Sequence, residues 1–127
     1  MYSPKKFQVD DIEFVWKFIA DNPFALLISG DRHITHLPIN RFEDGHLYGH
    51  CARANAHADL EAGSEVTVVF TGPHAYISPR YYVSEFNVPT WNYSTVHCHA
   101  TIEYINDEEE VFNHFVEMVA IYEGSDG

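Results

Sequence analysis

The sequence predicts an antiparallel, mainly β domain, a barrel or curled sheet flanked by helices. Three observations carry this. Residues 95–104 alternate without a break between apolar and polar side chains, the pattern of a half-buried strand. Helical periodicity is confined to the two ends, with five or six strand-length segments and short turns between them. No βαβ rhythm joins those segments, so parallel pairing has nothing to support it. At 127 residues the chain is long enough for one domain with a real core.

Taken in order, the first element is a helix beginning near Asp10. Asp10 or Asp11 can cap it, Ile12, Val15, Trp16 and Ile19 recur at helical spacing, and Asn22-Pro23 stops it. Residues 24–29 form a continuous apolar run of strand length, suited to burial on both faces. Gly30-Asp31 turns the chain and residues 33–40 return as a hairpin partner, with Pro38 marking an edge or a strand end. Glu43-Asp44-Gly45 is a tight turn feeding a strand that ends at Arg53.

Residues 55–62 read as a short helical turn capped by Asn55 and ended by Gly63. In 65–71, Val66, Val68 and Phe70 share one face, with Glu65, Thr67, Val69 and Thr71 on the other. Gly72-Pro73 is expected to break that strand, leaving 74–78 as a separate short one and 79–89 as an aromatic-rich loop. In the alternating segment, Val96, Cys98, Ala100, Ile102 and Tyr104 face one way and Thr95, His97, His99, Thr101 and Glu103 the other. The last element is a helix capped by Asp107, with Glu110 three residues on as in a capping box. Phe112, Phe115, Val116 and Val119 form its apolar stripe and Gly124 ends it.

Composition excludes several function classes. Hydrophobic residues make up 46% and aromatics 15%, which is not the signature of a disordered chain. No apolar run approaches the roughly 18 residues of a membrane span. The start, Met1-Tyr2-Ser3-Pro4-Lys5-Lys6, leads into no signal-peptide core, so a soluble, cytoplasmic protein is expected. Cys51 and Cys98 fall in different segments and read as free thiols. With 7 Lys+Arg against 19 Asp+Glu the formal net charge is −12, which disfavours direct contact with a polyanionic nucleic acid.

Nine histidines invite a metal reading, yet there is no HExxH or CxxC, and a strand-borne His97-x-His99 pair is more often solvated than ligating. No GxSxG, Walker A or GxGxxG occurs either. A nucleotide or flavin would have to be held by side chains on strands and loops. Arg53 is the first candidate. It stands between Ala52 and Ala54 and is followed by Asn55, so a guanidinium fork suited to phosphate has small neighbours that let a ligand approach. The bland alternative is a surface ion pair. Two aromatic segments, Gly72-Pro73-His74-Ala75-Tyr76-Ile77-Ser78-Pro79 and Pro89-Thr90-Trp91-Asn92-Tyr93, could stack on a planar heterocycle or simply plug the end of a barrel.

Together with Met1-Tyr2-x-Pro4-x-x-Phe7, Asn22-Pro23-Phe24-Ala25, Thr35-His36-Leu37-Pro38 and Gly49-His50-x-Ala52-Arg53-Ala54-Asn55, these segments resemble the PaiB family of FMN-binding negative transcriptional regulators. The resemblance implies an antiparallel split β-barrel of the pyridoxamine-phosphate-oxidase-like kind, as a homodimer with FMN in clefts at the subunit interface. It implies Arg53 with Asn55 at the flavin phosphate, Thr35 and His36 lining the cleft, and Trp91 and Asn92 near the ring or ribityl chain. Ser78 and Tyr76 follow as further contacts.

The role implied is transcriptional regulation or a flavin-dependent oxidoreduction, with no catalytic acid or base placed. The chain departs from the family pattern at Ala56-His57, where Pro and a nearby aromatic are more usual, and in a shorter 80–88 loop. Family members also continue past residue 127. The expectation is therefore a single split-barrel domain lacking the usual C-terminal extension, with FMN occupancy a matter for experiment. Two other classes compete. One is a haem-binding or haem-degrading split barrel, with His97, His99 and His114 as candidate axial ligands. The other is a cofactor-free dimer serving as an interaction module.

Overall fold

The computed structural model describes residues 10–77 and 90–124. Asp11 caps the first helix, α1 (Ile12–Asp21), its carboxylate accepting from the backbone N–H of Glu13 at 3.0 Å and Phe14 at 3.4 Å. Asn22 closes it by donating its side-chain amide to the Phe18 carbonyl at 2.9 Å, and Pro23 prevents another turn. The strands are β1 (Phe24–Ser29), β2 (Ile34–Arg41), β3 (Leu47–Gly49), β4 (Glu65–Ile77) and β5 (Thr90–Thr101), followed by α2 (Glu108–Glu123). They form one antiparallel sheet in the order β3-β2-β1-β4-β5, with β1 central. The mainly β antiparallel class with flanking helices is as expected. Among the described residues the sheet is open, with β3 and β5 as its edges.

Alternation decides which residues meet the helix. Ala25 on β1, Leu37 and Ile39 on β2, and Val68 and Phe70 on β4 pack with Ile19 of α1 in the core, flanked by Val15, Trp16 and Phe18. Phe70 and Ile19 are fully buried. The β4 faces match the pattern read from sequence, and so do the β5 faces, with His97 and His99 exposed.

Two expectations are corrected. Gly72-Pro73 does not break β4. Thr71 pairs with Thr95 and His74 with Tyr93, so one extra residue is absorbed as a bulge and pairing resumes. Glycine suits this position because a Cβ at Gly72 would lie 2.7 Å from the Phe18 ring and push it aside. The strand expected to end at Arg53 ends at Gly49 instead. In the β2–β3 register the next pair would be His50 with Pro38, and the Ile39 N–H is already given to the Pro23 carbonyl on the β1 side, at 2.8 Å. The nitrogen of Pro38 therefore faces β3 and has no proton to donate, so the ladder stops.

The last element is α2. Its Asp107 cap, its end at Gly124 (φ 76°) and its acidic first turn are as expected. Its apolar stripe is not in the core: Phe112 is 66% exposed and Val116 52%. The helix instead meets the β2–β3 end through mixed contacts. His114 stacks on Tyr48 (4.2 Å) and Phe42 (5.2 Å), Phe115 on His50 (4.2 Å), and the Tyr122 hydroxyl donates to Asn40 at 2.9 Å. No described helix is long and apolar enough to cross a membrane.

Candidate functional site

The chain leaving β3 passes through a tight turn at Ala52-Arg53-Ala54-Asn55, closed by the Asn55 N–H donating to the Ala52 carbonyl at 2.9 Å. Asn55 then caps a 3-10 turn, Ala56–Asp59, its side-chain oxygen accepting from the His57 N–H at 2.9 Å. This turn lies against the β1–β2 hairpin and is welded to it by polar groups.

His57 is the centre of the weld and is 2% exposed. Its Nε2 lies 3.0 Å from the His33 carbonyl, which can only accept, so Nε2 carries the proton. Nδ1 is then an acceptor, and it takes the Thr35 hydroxyl proton at 2.7 Å. Thr35 in turn accepts from the Asn55 side-chain N–H at 3.0 Å, and Asn55 Oδ1 also accepts from His33 Nε2 at 3.0 Å. The His33 ring stands edge-on to His57 at 4.4 Å, and the Tyr104 hydroxyl proton is shared between the carbonyls of His57 (2.9 Å) and Leu60 (2.7 Å). Burial holds the His57 pKa below the ordinary imidazole value, helped by the neighbouring His33, so the neutral ring is the stable form.

Ser29 also approaches His57 Nε2, at 3.0 Å, and donates to Asp31. The arrangement is not that of a hydrolytic triad. Asp31 bonds the serine rather than the imidazole, Nδ1 is held by Thr35, and Ser29 is 6% exposed.

Arg53 is exposed and borders a cavity of about 340 Å³ formed with Ile105, Asn106, Glu108, Val111, Phe112 and Phe115. Arg53 and Glu108 are thus the charged residues lining a mostly apolar cleft between the 50–55 segment and the start of α2. That combination suits a ligand with an anionic end and a flat apolar body.

The structure brings together some of the residues singled out from sequence and separates others. Thr35 and Asn55 are in contact, and Asn55 is two residues from Arg53. His36, next to Thr35, projects from the opposite face of β2, where it is exposed and stacks on Phe24 at 6.1 Å. Trp91 and Asn92 stand on β5 opposite Tyr76 and Ala75 of β4. Ser78 lies outside the described residues. His57 and His33 were not singled out as site residues. A lone histidine in a short turn carries no periodic signal, and its burial depends on a contact with β1–β2 that local pattern does not reveal.

Of the candidate axial ligands, His97 and His99 lie on the exposed face of β5, with His99 near Thr67 at 3.3 Å, and the His114 ring stacks on both Tyr48 and Phe42. Among the described residues no three His, Cys, Asp or Glu side chains converge as a metal site.

Comparison with known proteins adds a family. Residues 1–127 match the sequence family described as "Putative FMN-binding domain". The chain is 40% identical over 116 residues to the Protease synthase and sporulation protein PAI 2 of Bacillus subtilis, a match covering 86% of this chain and 56% of that protein. It is 33% identical over 85 residues to the Uncharacterized protein YKL070W of Saccharomyces cerevisiae, covering 60% of this chain and 50% of that protein. The matched stretches span about half the length of these two relatives.

Proposed function

Since the chain belongs to the FMN-binding domain family, we propose that it binds FMN with its phosphate on Arg53 and its ribityl chain beside Thr35 and Asn55. The observation that carries this reading is the place of Arg53 at the rim of the cleft walled by Ile105, Val111, Phe112 and Phe115. Two Ala neighbours leave room for phosphate, and the apolar wall offers the ring a surface to bury. His36, Trp91, Asn92 and Ser78 remain proposed contacts on the strength of motif position. When bound, FMN supplies electron-transfer chemistry; the chain's own residues bind it, orient it and shield it from water.

Titrating the protein with FMN and with riboflavin, and following quenching of flavin fluorescence, tests the assignment. Arg53→Ala should weaken FMN by roughly 10- to 150-fold, the worth of a charge-assisted phosphate contact, and leave riboflavin nearly unchanged. A wild-type protein that binds neither flavin would sink the reading. FMN binding unaffected by the substitution would remove Arg53 from it.

We also propose a homodimer, as the family resemblance implies. The exposed apolar residues of α2, Phe112, Val116 and Val119, support a second copy covering them. Sedimentation at micromolar concentration should give twice the 14.6 kDa chain mass; a lone chain mass would argue against it. The regulatory or oxidoreductive role is proposed on the resemblance, and the net charge of −12 favours action through a ligand or partner over direct DNA contact.

A further inference from the structure

We propose that His57 is the positioning residue of the flavin site: it fixes the Thr35 hydroxyl and the Asn55 amide in one arrangement, so that Thr35 meets the ribityl hydroxyls as an acceptor and Asn55 meets them as a donor. The inference rests on the FMN reading above and deepens it.

The hydrogen-bond inventory carries the assignment. The single hydroxyl proton of Thr35 goes to His57 Nδ1 at 2.7 Å, and one of its lone pairs takes the Asn55 N–H at 3.0 Å. One lone pair is left. Asn55 Oδ1 is filled by the His57 N–H at 2.9 Å and His33 Nε2 at 3.0 Å. Its amide nitrogen, having given one proton to Thr35, keeps one more. Thr35 and Asn55 are both half-buried, so neither residue is sealed in the core as His57 is.

A sugar-alcohol hydroxyl, which both donates and accepts, complements such a pair. Distance along the chain favours the ribityl part of the ligand. Asn55 follows Arg53 by two residues, so their Cα atoms are at most roughly 7 Å apart, and the ribityl chain is joined to the phosphate through the ester oxygen at its end.

His57 cannot touch the ligand at 2% exposure and acts only through these two side chains. Its own place is fixed independently, by the His33 carbonyl on Nε2, the His33 ring and the Tyr104 hydroxyl on its carbonyl. Without an acceptor at Nδ1, the Thr35 proton is free to turn away from His57 and toward the ligand. The site would then present a mixture of patterns instead of one.

Two substitutions separate this role from that of a merely structural histidine. His57→Asn keeps an acceptor near the Nδ1 position and loses the donor to His33. His57→Gln keeps a donor near the Nε2 position and loses the acceptor for Thr35. FMN affinity should stay within about threefold of wild type in His57→Asn and fall about tenfold in His57→Gln, the range of one neutral hydrogen bond. Thr35→Val should also lose about tenfold, Thr35→Ser should not, and adding His57→Gln to Thr35→Val should cost nothing further.

Equal losses in the two His57 variants, or additive losses in the double variant, would overturn the proposal. If thermal melts show that neither His57 variant folds, the Thr35 pair decides, and wild-type affinity in Thr35→Val overturns it. A wild-type protein that binds no FMN fails at the earlier step and takes the flavin reading with it. One that binds FMN but treats His57→Asn and His57→Gln alike rejects only the role of His57.

Discussion

His57 shows how one buried titratable group couples stability to pH. Its pKa in the folded chain lies below the ordinary 6.5 because burial disfavours the imidazolium and His33 stands beside it. The unfolded chain therefore binds this proton more readily than the folded one. Stability should be constant with respect to this group above pH 6.5 and fall as the pH drops through 6.5 toward the folded value. Denaturant melts at pH 8, 6 and 5 should show that decline, and His57→Asn should flatten it; a decline of the same size in the variant would assign the effect elsewhere. His50, whose pKa is lowered by burial and by the nearby His114, contributes in the same direction and would supply the residual slope. Sequence made part of this centre legible. Asn55 could be read as a cap because an N-cap depends on its own neighbours in the chain. His57 could not, because its partners Ser29, His33 and Thr35 are more than twenty residues away and only the folded register delivers them.

The elements were legible where local chemistry sets their ends. Asp11 and Asp107 caps, the stop at Asn22-Pro23 and the glycine at 124 all stand where pattern put them. They were misread where a long-range partner overrides local preference, and β4 is the clearest case. Gly-Pro is ordinarily a strand breaker, yet β5 pairs on both sides of it, and the unpaired residue is accommodated by a bulge that carries Gly72 against Phe18. Gly72→Ala tests that account. The added Cβ would stand 2.7 Å from the ring tip, well inside carbon contact distance, so the ring or the strand must move. Phe18 is half-buried and can tilt, which places the cost at about 1 kcal/mol, the low end for overpacking. A Phe18→Leu background should recover most of it. If Gly72→Ala melts like wild type in both backgrounds, the close approach is not what requires glycine.

At the scale of the molecule, periodicity in α2 reported an apolar face and could not say what that face meets. The structure seats the helix through His114, Phe115 and Tyr122 and leaves Phe112 and Val116 exposed. The candidate site was legible in outline, since Arg53, Thr35 and Asn55 come from two segments that do converge, while His36 lies on the other face of β2. The geometry of that convergence depends on a residue of the sheet itself. Because Pro38 offers β3 no proton, the chain is released from the sheet at Gly49 and carries Arg53 round to α2. Pro38→Val would allow the ladder to continue to His50, adding about 0.5–1.5 kcal/mol per hydrogen bond gained. It would also surrender the roughly 0.4–1 kcal/mol that proline contributes by restricting the unfolded chain. The two nearly cancel, so the substitution should be almost silent in a melt and plain in an FMN titration. Pro38 thus works as a length setting for β3, and a stability screen would pass over the residue that decides where the arginine stands.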